Sequence, residues 1–199
     1  MRVEKWMIKD IVTVGKETDI KEAIRLMKKN SIRHLPVVED DHFLGFVTEG
    51  DLRQLVIPSI LEKIKVKDVM ISDPITISAQ ADIETAAKLV YHYKIGGLPV
   101  VEKGKLLGIL TVTDILRAFI EMMGILTADS RLDVIIGDFP TSFEEVYNII
   151  HKNNVKIISL GITSDEDETI YSFRLQKCKL EPVVAALKKR GYKVVSTFP

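Results

Sequence analysis

Two four-residue turns carry the groups in this chain best suited to chemistry: Thr48-Glu49-Gly50-Asp51 and Thr111-Val112-Thr113-Asp114. Each sets a hydroxyl and a carboxylate three positions apart. A carboxylate presented this way can accept two hydrogen bonds from the vicinal hydroxyls of a ribose, as the acidic residue of dinucleotide-binding folds does. The threonine hydroxyl can add a contact to the ribose or to a first phosphate. The same spacing is also the ordinary capping signature of a helix start, in which hydroxyl and acid bond reciprocally to backbone N–H groups. One turn can serve both purposes.

The two turns are one turn written twice. An offset of 63 carries Arg33-His34-Leu35-Pro36-Val37-Val38 onto Gly96-Gly97-Leu98-Pro99-Val100-Val101, and Gly45-Phe46-Val47-Thr48 onto Gly108-Ile109-Leu110-Thr111. The match runs backwards without a gap, pairing Met7 with Met70, Asp10 with Asp73, Thr13 with Thr76 and Asp19 with Asp82. A period this long marks a duplicated module.

The elements that must position these turns follow from local pattern. Ile11-Val12-Thr13-Val14 reads as a short β-branched strand. Asp19 and Glu22 have the spacing of a helix N-cap and its return partner, and Ile20, Ala23, Ile24 and Met27 follow at helical period. Pro36 opens a strand, Glu39-Asp40-Asp41-His42 is a polar turn, and Phe43 to Thr48 is the returning strand of a hairpin. A second helix begins at Asp51. The unit is β-α-β-β-α, and the second copy follows it with Lys103-Gly104 in the turn. The charged linker 58–67 reads as part helix.

Beyond about residue 130 the grammar changes. Strand 133–136, helix 142–153, strands 155–162 and 169–175 around the acidic turn 164–168, helix 180–190 ending at Gly191, and strand 193–197 give the order βαββαβ of a ferredoxin-like domain. The fold class is therefore α+β, with boundaries at 1–62 and 63–126 for the repeats and 131–199 for the last domain.

Composition narrows the function. The 199 residues carry 28 basic and 28 acidic side chains, a balance that lacks the footprint of a general nucleic-acid binder. The only cysteine, Cys178, cannot form an internal disulfide. Met1 to Trp6 lacks the apolar core of a signal peptide, and the most apolar run, 109–126, is broken by Asp114, Arg117 and Glu121. These features predict a soluble cytoplasmic protein with no membrane partner. The chain has no P-loop, G-x-G-x-x-G, G-x-S-x-G or H-E-x-x-H motif, and His42, His92 and His151 lack metal-ligand spacing. We therefore expect neither an active site nor a metal site.

The doubled stretch, His34-Leu35-Pro36-Val37-Val38 with Gly45-Phe46-Val47-Thr48 and Asp51, resembles a cystathionine-β-synthase (CBS) domain pair over roughly residues 1 to 125. The C-terminal piece resembles an ACT domain, and the domain order resembles acetoin-utilisation accessory proteins. The resemblance implies an intramolecular pair of repeats, usually dimerised, with adenine nucleotide (AMP, ADP or ATP) in the cleft between them. Carried onto this chain, the binding residues are Thr13, Arg33, His34, Pro36, Thr48 and Asp51 in copy one. Those of copy two are Thr76, Gly96, Gly97, Pro99, Thr111 and Asp114.

Thr13 and Thr76 are expected near the phosphates, and Arg33 supplies a phosphate-binding cation in copy one alone. Gly96 and Gly97 leave more room in copy two, so the two sites should be unequal. Arg53 and Arg117 follow their aspartates out of register and read as solvated helix surface. His34 reads equally well as a half-buried packing residue, and Met7 and Met70 as packing at equivalent ends of the repeats. In the ACT-like piece, Thr141 stands in Gly137-Asp138-Phe139-Pro140-Thr141-Ser142-Phe143 where glycine is usual. That substitution argues against amino-acid binding and for Ser142 as a plain helix cap, with a sheet edge left to pair with another copy. The expected function is a non-catalytic regulatory protein that senses an adenine nucleotide and relays it to a homodimer or a protein target. A purely structural interaction module and an amino-acid sensor are the alternatives.

Overall fold

The computed structural model describes residues 1–53, 64–137, 140–165 and 168–198. Much of the expected linker helix at 58–67 and the tip of the acidic turn therefore lie outside the described residues. So do Asp138, Phe139 and the side chains of Pro140 and Thr141, which take the Thr141 argument with them. The chain forms two compact units, Met1–Leu116 and Arg117–Pro199, and the division falls inside a helix.

In the first unit, α1 (Ile20–Asn30) buries Ile20, Ala23 and Met27, the apolar face read from the sequence. Asp19 makes no side-chain cap bond to α1; its carboxylate instead meets Lys65 at 2.7 Å, while Glu22 is taken by Arg25. An ion pair has thus replaced the expected capping box. Strands β1 (His34–Glu39) and β2 (His42–Thr48) form an antiparallel hairpin, its turn made by Asp40 and Asp41 with φ of 47° and 63°. Helix α2 (Glu49–Arg53) follows. The second copy repeats the plan with α3 (Ile83–Tyr93), β3 (Gly97–Glu102), β4 (Lys105–Thr111) and α4 (Val112–Met122). Both hairpins carry a register shift at the same place, after Val37 and after Val100.

The expected opening strand 11–14 shrinks to one bridge. The Val14 N–H donates to the Pro36 carbonyl at 3.0 Å and the Val14 carbonyl accepts from Val38 at 2.9 Å, after which Gly15 to Thr18 turn the chain away. Ile77 does the same beside Pro99 and Val101 in the second copy.

The opening segment of each repeat crosses to the other one. Ile8 exchanges backbone hydrogen bonds with Ile109 of β4, and Ile71 with Phe46 of β2. Val66, in the 3-10 turn Val66–Asp68, joins the first repeat's core with Val14, Ile20, Leu35, Val47 and Leu52. Val3, in the turn Val3–Lys5, donates to the Ala81 carbonyl of the second. Two glycines permit the crossing, because a Cβ at Gly45 would lie 2.6 Å from the Ile71 carbonyl oxygen and one at Gly108 2.8 Å from that of Ile8. Met70 and Met7 pack over those same glycines, the packing role expected of them.

The second unit has a four-stranded sheet in the order β6-β7-β5-β8, from β5 (Ser130–Ile135), β6 (Ile157–Asp165), β7 (Glu168–Leu175) and β8 (Lys193–Phe198). All its pairings are antiparallel. Helices α5 (Pro140–Lys152) and α6 (Glu181–Lys189) pack Val146, Ile150, Val183 and Leu187 onto Leu132, Val134 and Phe173. Since α5 starts at Pro140, Ser142 lies within its first turn instead of capping it, and the Ser142 carbonyl accepts from the Tyr192 hydroxyl at 3.2 Å. Among the described residues no helix is long and apolar enough to cross a membrane.

Candidate functional site

Thr48 ends β2, and its turn opens α2. The Thr48 N–H and hydroxyl both donate to Asp51 Oδ2, at 2.9 and 2.7 Å, and the Asp51 N–H donates back to Thr48 Oγ1 at 3.3 Å. Thr111 and Asp114 repeat this arrangement at 2.8, 2.5 and 3.4 Å. The capping role is thus realised in both copies. Both bonds accepted by each carboxylate fall on Oδ2, so Oδ1 of each aspartate takes no part in the cap.

The start of each hairpin is tied to its own turn. The Arg33 carbonyl accepts from Glu49 N–H at 2.9 Å, and the Gly96 carbonyl from Val112 N–H at 3.2 Å. Opposite Thr48 across the ladder sits His34, and opposite Thr111 sits Gly97. Geometry therefore delivers a carboxylate, a hydroxyl and the first strand residues to one place in each copy.

The structure then brings residues of both copies together. Arg33, His34, Thr48 and Asp51 share one cleft of about 710 Å³ with Gly96 and Gly97. Asp73, Pro74, Tyr93 and Lys94 of the second repeat also line it. This cleft is composite, because the 70–75 segment crosses onto the first repeat. A smaller cavity of about 520 Å³, lined by Ile24, Met27 and Leu52, contains neither Asp51 nor any residue of the second repeat.

The room expected beside Gly96 and Gly97 is filled. A Cβ at Gly96 would lie 2.9 Å from His34 Nε2, so the imidazole occupies the space that the missing side chains leave. The ring stacks on Phe46, with centroids 5.5 Å apart and planes 13° from parallel. Burial, reinforced by the charge of Arg33 and opposed by Asp51, holds the imidazole below its ordinary pKa of 6.5. His34 is thus the packing residue of one reading while still facing the cleft of the other.

The remaining expected residues lie elsewhere. Thr13 and Thr76 are exposed, each one position before a bridge residue, and neither lines this cleft. Pro36 and Pro99 are buried in β1 and β3, with their carbonyls taken by Val14 and Ile77. Thr111 and Asp114 are half-buried at the twin turn and do not line it either. Sequence reading missed Asp73, Pro74, Tyr93 and Lys94. Their only trace in the sequence reading was the repeat itself, which pairs Asp73 with Asp10.

This architecture has counterparts among known proteins. The CBS domain family matches residues 3–57 and 66–121, more than half of the sequence, and the chain belongs to that family. An inosine-5'-monophosphate dehydrogenase of Korarchaeum cryptofilum is 39% identical over 115 residues. That match takes in 57% of this chain but only 23% of the dehydrogenase, so the chain spans about a quarter of that relative's length. An uncharacterized protein of Methanocaldococcus jannaschii is 29% identical over 199 residues, covering 96% of this chain and 71% of its own length.

Among solved structures, CBSX2 of Arabidopsis thaliana in complex with AMP is 30% identical, with a TM-score of 0.56 over 60% of this chain and 96% of its own. A putative acetoin utilization protein (AcuB) from Vibrio cholerae is also 30% identical, with a TM-score of 0.57 over 63% and 95%. The CBS domain pair of protein MJ0100, in complex with 5'-methylthioadenosine and S-adenosyl-L-methionine, is 27% identical, with a TM-score of 0.55 over 60% and 95%. Residues 122–199 lie outside the family match.

Proposed function

We propose that this chain is a non-catalytic regulatory protein that takes an adenine nucleotide of the AMP, ADP or ATP class in the composite cleft. The observation that carries the reading is the convergence there of Asp51, Thr48 and Arg33 with residues of the second repeat. Asp51 Oδ1 lies outside the cap and accepts from the ribose hydroxyls, Thr48 adds a contact, and Arg33 faces the phosphates. Likeness to CBSX2, solved with AMP, and to a CBS pair solved with S-adenosyl-L-methionine supports an adenosine ligand. Thr13 and Pro36 belong by the repeat with Asp51, and Thr76, Pro99, Thr111 and Asp114 with a second, unequal site. A ligand that favours one arrangement of the two repeats shifts their equilibrium, and that shift is the regulatory signal.

The C-terminal unit is read as a ferredoxin-like, ACT-type domain, supported by its βαββαβ order and antiparallel sheet. It receives the signal or passes it to a protein target. The chain acts as a cytoplasmic homodimer, which would cover exposed apolar residues such as Leu116 on α4, 56% exposed. A role in acetoin metabolism rests on the likeness to the Vibrio cholerae protein. The second reading, an interaction module with degenerate sites, is favoured by the complete capping bonds of both Thr-x-x-Asp turns.

Calorimetric titration with AMP, ATP and S-adenosylmethionine separates the two readings, using the wild type and Asp51→Ala. Micromolar binding that disappears in a folded Asp51→Ala variant supports the sensor. The interaction module is supported by the absence of heat or thermal stabilisation with any ligand. Loss of the cap alone costs about 1 kcal/mol of stability in either case.

A further inference from the structure

The two Thr-x-x-Asp turns share their acids and differ in their cations. Asp51 corresponds to Asp114, and Asp73, which lines the cleft, corresponds to Asp10. Around the Asp51 turn, however, stand Arg33, Arg53 and Lys94, all lining the same cleft. At the 63-residue offset their counterparts are Gly96, Leu116 and Ser31, none of them charged.

The three cations are not equivalent. Arg53 is held by Glu49 at 2.9 Å on its own helix. Arg33 and Lys94 form no ion pair among the described residues. They arrive from different repeats: Arg33 immediately precedes β1, while Lys94 is the residue that ends α3. Lys94 holds the left-handed conformation, φ 53° and ψ 40°, with its N–H donating to the Val90 carbonyl. Ser31 ends α1 in the same conformation, φ 53° and ψ 39°, so the backbone is shared and only the charge differs.

We propose that Lys94 is a specificity-determining residue. With Arg33 it makes the Asp51 cleft the one phosphate-accepting site of the pair, selecting phosphorylated adenosines over adenosine itself and over the cationic S-adenosylmethionine. This inference rests on the reading of the cleft as an adenine-nucleotide site. Phosphate oxygens carry full negative charge and bind most strongly to charged donors. Two such donors reaching from opposite repeats also join the repeats through the ligand, so phosphate occupancy opposes their separation. The twin turn lacks cations at all three equivalent positions and has no such preference.

The test is calorimetric titration of the full chain with ATP, ADP, AMP and adenosine, in the wild type, Lys94→Ser and Lys94→Arg. Lys94→Ser installs the residue that the same backbone already carries at position 31, so folding is retained. We expect one phosphorylated ligand per chain, affinity that rises from adenosine to ATP, and a loss of roughly tenfold for ATP in Lys94→Ser. Adenosine affinity stays within about twofold in that variant, and Lys94→Arg keeps the preference for ATP, because its charge is retained. Equal losses for ATP and adenosine, an unchanged ATP affinity, or two equal ATP sites per chain would overturn the role of Lys94 while leaving the nucleotide site standing. No binding of any ligand to the wild type would overturn both.

Discussion

The imidazole of His34 in the first repeat lies against the backbone of Gly96 in the second, so close that a methyl group there would come within 2.9 Å of Nε2. The contact is possible because the residue at the first repeat's Arg33 position is, in the second, a glycine. Gly96→Ala forces the ring off its stack on Phe46, and we expect a loss of about 1 kcal/mol, at the low end for overpacking because a ring can yield. His34→Ala should relieve the clash. A double-mutant cycle by urea denaturation reads this coupling, and strictly additive losses would show that the two residues do not meet.

The same imidazole makes stability depend on pH. Its pKa is lowered in the fold by burial and by Arg33, against Asp51, so the unfolded chain takes up the proton first on acidification. Stability is then complete at neutral pH and declines as pH falls through about 6.5, the unfolded value. Glu49, Arg53, Asp73 and Lys94 line the same cleft. Melting temperatures between pH 7.5 and 5.5 should fall more for the wild type than for His34→Gln. Parallel curves would remove His34 from the account.

Crossing of each repeat's opening segment demands Gly45 and Gly108. In both places an added Cβ meets a backbone carbonyl oxygen, at 2.6 and 2.8 Å, which cannot swing aside as a side chain can. Gly45→Ala and Gly108→Ala should each cost about 1–3 kcal/mol and loosen the bridges of Ile71 with Phe46 and of Ile8 with Ile109. Amide exchange at those four residues measures this. Unchanged protection in a stable variant would mean that the crossing does not depend on the glycine.

In the C-terminal unit, the carboxylate of Asp133 is buried on the central strand β5 and accepts from Arg131 Nε at 2.8 Å and from the Ser196 hydroxyl. Burial by itself would raise its pKa, but hydrogen bonds from Arg131, Ser196 and Ser172 outweigh that and hold it below the ordinary carboxylate range. Its contribution is therefore present at neutral pH and is lost as pH falls below about 4. Asp133→Ala should destabilise this unit by about 1 kcal/mol, because it removes the shared acceptor of the half-buried Arg131 and Ser196. Asp133→Asn should flatten the acid limb of the stability curve, and an unaltered acid limb would contradict the assignment.

Much of this was legible in advance because it is local. The helical faces of α1 and α5, the hairpins with Asp40-Asp41 and Lys103-Gly104, and the Thr-x-x-Asp caps all depend on neighbours within a few residues. What was not legible depends on distant partners. Val14 is a bridge instead of part of a strand because, among the described residues, Pro36 and Val38 are its only ladder contacts. Asp19 does not cap α1 because Lys65, far along the chain, claims its carboxylate. Lys94 was overlooked because the motif that drew attention lies in the other repeat. A cleft between the repeats was expected from the resemblance, but which second-repeat residues line it depends on Ile71 crossing to Phe46, and no window of sequence contains both.

The central claim is that an adenine nucleotide binds where the two repeats meet, at Asp51. The most direct test is a titration of the isotopically labelled full chain with AMP, followed by backbone amide shifts. The account predicts saturable shifts at Arg33, His34, Thr48 to Asp51 and Gly96-Gly97, and their loss in Asp51→Ala. An absence of shifts up to millimolar AMP, or shifts confined to residues 130–198, would contradict it.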